Sequence, residues 1–395
     1  VGTDRYISTL STSVDSWIID GKKVQSTQKP TIVSSTLTWE KVTTLDLGLD
    51  ARFFNDALGV TFDWYNRTTS DILTTANLPA TLGADAPYEN MGTIQTKGWE
   101  LAIDYRHTFK NGLHFGVTAS VADDKTEVTK WTYNTKIPSY GATGWWDKSA
   151  YKEGMVLGDI WGLQFDRFLT EDDFNADGSL KAGLPDQTKV FPAGYQFAPG
   201  DVLYKDLDNN GEIVKQTNTN DKGDLSVIGN ALPRLQFGLN LDAAWKGFDI
   251  SMFFQGVAKR KLWAAGNQVL PGFTTGEPFY KGAEDYWTPE NTDAFYPRPM
   301  DYKQSASGNY SVNDRYLLNM AYLRLKTFTV GYSLPKVWLS KFKVQGLRVY
   351  FTGENLFTID GVKPAIDPEI GIRTASGKSD QRNFGRSYPY QKTVS

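Results

Sequence analysis

The chain has 395 residues, with 42 Lys and Arg against 45 Asp and Glu, and no cysteine. A formal charge of −3 leaves no basic footprint for nucleic acid, and without thiols neither a disulfide framework nor a thiolate metal site can form. Aromatic residues reach 14% while mean hydropathy is only −0.42, and nothing approaches the roughly 18 consecutive apolar residues of a transmembrane helix.

Residues 1–40 are polar and Ser/Thr-rich, carry Pro30, and read as loop; Val1-Gly2-Thr3-Asp4-Arg5 has no charged stretch followed by an apolar one, as an export signal would. The first strand is predicted over 45–54, with Leu45, Leu47, Leu49, Ala51 and Phe53 on one face and Asp46, Asp50 and Arg52 on the other. A turn at Asn55-Asp56-Ala57 leads to a second strand from Leu58 to Asn66 through Val60, Phe62 and Trp64, with Tyr65 expected in an interfacial aromatic girdle. A second pair runs through Trp99–Tyr105 and Leu113–Val117, joined by Lys110-Asn111-Gly112, where Asn-Gly accepts the positive φ of a tight hairpin. In the third pair Leu235, Phe237, Leu239, Leu241, Ala243 and Trp245 alternate with polar residues. It turns at Lys246-Gly247 and returns through Phe248, Ile250, Met252 and Phe254. The fourth pair spans Leu323 to Leu334-Pro335 and returns from Leu347, and a ninth strand is expected from about Asn383 to Ser395.

The connections within pairs are short, and the connections between pairs (about 67–94, 122–232, 257–319 and 355–382) are long. Alternating strands of 9–11 residues with short turns at one end and long loops at the other are the pattern of an outer-membrane β-barrel. Charged side chains on a lipid face cost up to about 2–4 kcal/mol at mid-bilayer. The polar residues Asp46, Asp50, Arg52, Glu100, Asp104, Arg234, Asp242, Arg324 and Arg348 are therefore expected to face the lumen. Period-two alternation also fits a secreted β-sandwich; strand length and loop asymmetry favour the barrel.

Specific motifs then add a family. Leu37-Thr38-Trp39-Glu40-Lys41 precedes Leu47-Gly48-Leu49-Asp50 and Phe62-Asp63-Trp64-Tyr65-Asn66-Arg67. Met91-Gly92-Thr93-Ile94, Lys97-Gly98-Trp99-Glu100-Leu101, Ile228-Gly229-Asn230 and Lys246-Gly247-Phe248-Asp249 follow. Tyr286-Trp287-Thr288-Pro289-Glu290-Asn291, Gly331-Tyr332-Ser333-Leu334-Pro335 and Gly353-Glu354-Asn355-Leu356-Phe357 complete the series. In this order the chain resembles the SusC-like (RagA-like) branch of TonB-dependent outer-membrane transporters. The resemblance implies an all-β, transmembrane antiparallel β-barrel with long extracellular loops, of which residues 1–395 would supply about nine of 22 strands as the C-terminal part, 122–232 being one long loop region. It also implies a plug and TonB box elsewhere, a SusD-like surface lipoprotein as lid, and uptake of glycans or peptides across a Gram-negative, Bacteroidota-like outer membrane. An odd strand count and the lack of room for a plug before residue 45 make the chain look like a truncated transporter. No catalytic chemistry is expected.

Two kinds of site stand out. Asp206, Asp208, Asn210 and Glu212 alternate around Gly211 like the first half of an EF-hand calcium loop, but Thr217 occupies the position of the closing acid. In the resembling family such a loop ends in an acid shortly before Ile-Gly-Asn, which nominates Asp224 as a displaced fifth ligand, with calcium ahead of magnesium. The same residues would equally make a simple polar turn, and Asp173-Phe174-Asn175-Ala176-Asp177-Gly178 reads as one. Loop aromatics Trp145, Trp146, Tyr151, Trp161, Trp263, Phe273 and Tyr280 could stack on substrate or pack the loops together. His107 and His114 flank the Asn111-Gly112 turn and read as periplasmic surface residues. The competing functions are a secreted carbohydrate-binding sandwich and a passive porin.

Overall fold

The computed structural model describes residues 7–8, 11–27, 32–75, 87–132, 152–215, 222–264, 266, 268–272, 279–300, 308–363, 366–369 and 390–395. Seventeen strands occur among them. A hairpin of β1 (Thr12–Ile19) and β2 (Lys22–Thr27) precedes the long strands β3 (Lys41–Phe53), β4 (Leu58–Thr75), β5 (Tyr88–Thr108) and β6 (His114–Trp131). Short strands β7 (Asp159–Gly162), β8 (Phe165–Phe168), β9 (Val202–Tyr204) and β10 (Ser226–Asn230) follow, then the long β11 (Arg234–Trp245) and β12 (Phe248–Lys259). The chain ends with β13 (Lys261–Leu262), β14 (Leu318–Asn319), β15 (Tyr322–Ser333), β16 (Arg348–Asp360) and β17 (Thr393–Val394).

The long strands and β17 form one antiparallel sheet in the order β17-β16-β15-β12-β11-β6-β5-β4-β3, so every neighbour in space is the next wall strand in sequence. This is an up-and-down barrel wall of nine strands, as expected. Of the predicted ninth strand, 383–389 lie outside the described residues, and Val394 and Thr393 pair with Gly353 and Glu354. The turns are those the residues dictate. Lys246 and Gly247 both take positive φ (49° and 90°), as a two-residue hairpin requires. The fourth connection is longer than a tight turn. Residues 334–347 hold a short helical turn at Lys336–Leu339, and Leu334 N–H donates to Leu347 O at 3.0 Å to close it.

Register divides the sheet into two chemically distinct faces. Asp46 opposes Tyr65 and Asp50 opposes Thr61; Asp63 opposes Glu100, and Asp242 opposes Gly116. These residues share one face with Arg52, Asp104, Arg324 and Arg348. The other carries Leu45, Leu47 and Leu49 at 54–60% exposed, with Phe62, Ile103, Phe115, Val349, Phe351 and Ile359 also exposed. An apolar face that large stays out of water only against lipid. A groove of about 500 Å³ crosses β4, β5, β6, β11 and β12, lined by Asp63, Glu100, Ser120, Gln236 and Gln255, so the polar face is the concave one. No second sheet covers the apolar face among the described residues, which removes the sandwich alternative.

Two expectations change. Tyr65 does not join an outer girdle. Its register places it on the polar face, where its ring fills the space a Cβ at Gly98 would occupy, while Trp64 and Trp99 pair on the apolar face. The loop boundaries also move, because β4 and β5 run 18 and 21 residues, about 60–70 Å at 3.3 Å per residue, twice what a bilayer needs. The 67–94 connection thus shrinks to 76–87, and β6 occupies the first ten residues of the predicted 122–232 loop. Beyond the bilayer both faces of a strand meet water or loop, so alternation stops while hydrogen bonding continues.

Candidate functional site

The two larger hydrophobic clusters lie outside the wall strands. The segments between β6 and β11 and between β12 and β15 build a loop layer, tied by the sheets β7–β10, β8–β9 and β13–β14. One cluster gathers Ile160, Leu262, Trp263, Leu270, Tyr316 and Met320; another gathers Leu163, Phe168, Val202, Tyr204, Leu225 and Trp287. A buried polar hub joins the two segments. Asp201, fully buried, accepts from Arg298 Nε at 2.8 Å, from Tyr195 OH at 2.9 Å and from Asn309 Nδ2 at 2.9 Å. Burial, followed by the Asp201 charge, pushes the Tyr195 hydroxyl far above its ordinary range and keeps it a donor. Loops held by such a hub present a fixed surface.

Of the loop aromatics that could stack on substrate or pack the loops together, Trp145, Trp146, Tyr151 and Phe273 lie outside the described residues. Trp263 is only 3% exposed, inside the first cluster, and Trp161 is half-buried against the second. Tyr280 differs, being 39% exposed and lining a pocket of about 690 Å³. Phe279 and Tyr286 stand on its open side, Tyr296 and Tyr310 on its buried side, and Lys281 and Glu284 at its edge. Of these Tyr280 is the one the sequence nominates as a loop aromatic, while Tyr286 stands out there only as part of a family motif. The available signal was Pro271, Pro297 and Pro299, which line the same pocket and break any regular element there.

The carboxylates of Asp206, Asp208 and Asp224 come within 4.8 Å of one another. Asp224 is fully buried, and its oxygens accept the Leu207 and Val214 N–H groups, each at 2.8 Å. Burial raises its pKa, and the negative charges of Asp208 and Asp206 add to that. Oxygen donors in this number suit a hard divalent cation. Asn210 is engaged within the turn, with Nδ2 donating to Asp208 at 3.0 Å and Oδ1 accepting from Glu212 N at 2.8 Å. The Glu212 carboxylate turns outward to Lys189 and stays out of the cluster. Asp173, read as a turn residue, is clamped by both terminal nitrogens of Arg167, whose hydrogen bonds pull its pKa down to about 2.

The concave face carries ion pairs of an unusual reach. Arg52 on β3 donates to Asp104 on β5 at 2.8 Å, across β4. Gly59 makes this possible, because a Cβ there would overlap both partners. Arg348 on β16 reaches Asp249 on β12 at 3.0 Å across Gly331 of β15 in the same way. Arg234, beyond the irregular Leu235 (φ 51°), is taken up by Asp123. Near the loop end, Arg324 is 3% exposed. It donates through Nε to Thr358 Oγ1 and through Nη2 to Asp367, both at 2.8 Å. Its Nη1 lies 3.1 Å from Glu369, which also receives Lys326 at 2.7 Å. Tyr390 caps the group, with its N–H on Asp367 and its ring 5.2 Å from Arg324. His114 sits 3.4 Å from Asp242, and the His107 ring packs between Tyr105 and Phe109; neither belongs to a metal cluster among the described residues.

Comparison with known proteins agrees with this architecture. The family described as TonB dependent receptor-like, beta-barrel matches residues 4–356. TonB-dependent receptor P3 of Formosa agariphila is 27% identical over 380 residues, covering 94% of this chain and 35% of that protein. TonB-dependent receptor SusC of Bacteroides thetaiotaomicron is 24% identical over 359 residues, covering 89% and 32%. The structure of the RagAB peptide transporter superposes with a TM-score of 0.67 at 20% identity, over 94% of this chain and 36% of the matched one. The chain thus spans about a third of the length of these relatives.

Proposed function

The chain belongs to the TonB-dependent receptor-like β-barrel family, and from that premise we propose that it forms wall and extracellular loops of a transporter that imports oligosaccharides or peptides with energy relayed by TonB. It is an outer-membrane protein, of a family of receptors rather than enzymes. The observation that carries the reading is a nine-strand wall with an apolar outer face and a charged concave face, of which β3 to β15 lie within the residues 4–356 matched to the family. In this reading substrate is caught between the loop layer and a SusD-like surface lipoprotein, then passes along the polar face. That RagAB is named a peptide transporter supports peptides; the exposed aromatics around Tyr280 support glycans. The test is uptake in cells with and without tonB. Loss of uptake without tonB is expected, and undiminished uptake would point to a passive porin instead. Recovery of the protein in the soluble fraction without detergent would refute the membrane placement.

We also propose that Asp206, Asp208 and Asp224 hold a structural calcium ion. The support is the convergence of three carboxylates, one of them fully buried, at a position where a cation would offset their repulsion.

A further inference from the structure

We propose that the pocket around Tyr280 is a binding subsite for a neutral oligosaccharide, a refinement that rests on the uptake reading above. The loop layer buries its aromatics thoroughly, with Trp263, Tyr310, Tyr316 and Trp287 all 7% exposed or less. Phe279, Tyr280 and Tyr286 are instead 63%, 39% and 40% exposed, all in one pocket. Their neighbours Tyr296 and Tyr310 are fixed beneath them, Tyr296 by a hydrogen bond from its hydroxyl to Val269 O at 3.1 Å. Open ring faces on a rigid base are what the apolar C–H face of a sugar ring stacks on. The volume of about 690 Å³ lies within the range of ligand sites, roughly 300–1,000 Å³.

The polar groups select the class. One cation, Lys281, and one anion, Glu284, line the pocket, and neither enters an ion pair among the described residues. One charge of each sign favours a neutral, hydroxyl-rich ligand, which accepts from the ammonium and donates to the carboxylate. A peptide docking by its backbone would need a run of unpaired strand edge. The ordered backbone here is a bridge between Tyr286 and Tyr296, and no such run lines the pocket among the described residues.

The experiment takes the native outer-membrane protein in detergent against an immobilised panel of neutral hexasaccharides and a mixed peptide library. At least one hexasaccharide is expected to bind. The triple variant F279A/Y280A/Y286A should weaken it about 10-fold or more, as loss of about 1.4 kcal/mol of stacking predicts. Y280F with Y286F should keep most of the binding. Retained heat-dependent gel mobility checks that the barrel is intact, and Tyr280→Ala alone serves if the triple variant fails that check. Unchanged glycan binding in the variants overturns the proposal. So does binding of peptides alone, or of neither class. Uptake of the bound glycan is measured separately with and without tonB. Uptake that ignores tonB refutes energised import and leaves the subsite standing.

Discussion

Replacing Arg324 by methionine removes the group that, among the described residues, reaches Thr358, Asp367 and Glu369 together. The side chain of Asp367 is 4% exposed and that of Glu369 is 11%, so water cannot take over the guanidinium's role. Removing one partner of a buried ion pair costs about 3–5 kcal/mol, because the other charge is left behind without compensation. Lys326 still holds Glu369 at 2.7 Å, which places Arg324→Met near the low end, about 3 kcal/mol. Asp367→Asn in the same chain removes the stranded charge, so the double variant should recover to within about 1 kcal/mol of the unsubstituted protein. Urea unfolding in detergent micelles gives the midpoints, and hydrogen exchange over 352–369 locates the loss. A single variant costing under about 1 kcal/mol, or a double variant no better than the single, would show that these carboxylates are already solvated.

Other consequences are as direct. Leu47→Arg puts a cation on the lipid face of β3 and should cost about 2–4 kcal/mol or block assembly, while Asp46→Arg on the concave face should be tolerated; outer-membrane yield reads both. Asp173 has its folded pKa lowered to about 2 by Arg167, so the pair stabilises above the unfolded carboxylate pKa and that contribution disappears as pH falls from about 4 to 2. Arg167 is 42% exposed, which limits the effect to about 1 kcal/mol, and Asp173→Asn should flatten the profile in that window. Calcium at about 100 times its dissociation constant should add about 2.7 kcal/mol to loop-layer stability. Asp224→Asn should abolish the shift, and an equal calcium response in that variant would refute the site.

What the sequence made legible was whatever one short window could encode. The alternation Leu45-Leu47-Leu49 against Asp46-Asp50-Arg52 marked β3, its polar face and its turn, because lipid and lumen impose opposite chemistry on adjacent residues. Above the bilayer that contrast ends, and the upper half of β4 and the upper third of β5 carry the pattern of a loop. The pairing of Ser226–Asn230 with Asp159–Gly162 was invisible for another reason: four- and five-residue strands some 60 residues apart carry no period. The site divides in the same way. Asp206 and Asp208 announced themselves by spacing, and Asp224 could be nominated from family pattern. Phe279 and Tyr286 beside Tyr280 could not, since exposure of a loop aromatic depends on how distant segments pack.

The two ion pairs that pass over glycine have a bearing on how the wall is put together. Arg52 and Asp104 sit on strands that are not neighbours, so they meet only when β4 lies between them with Gly59 under the contact. A slip of one residue in β4 would bring a side chain into that gap and turn Gly59 to the other face. Each pair therefore senses the alignment of three strands at once, whereas an ordinary cross-strand contact senses two. For a sheet that grows strand by strand, such a contact is a late check on earlier steps: it closes when the third strand arrives, and only if the second is already in place.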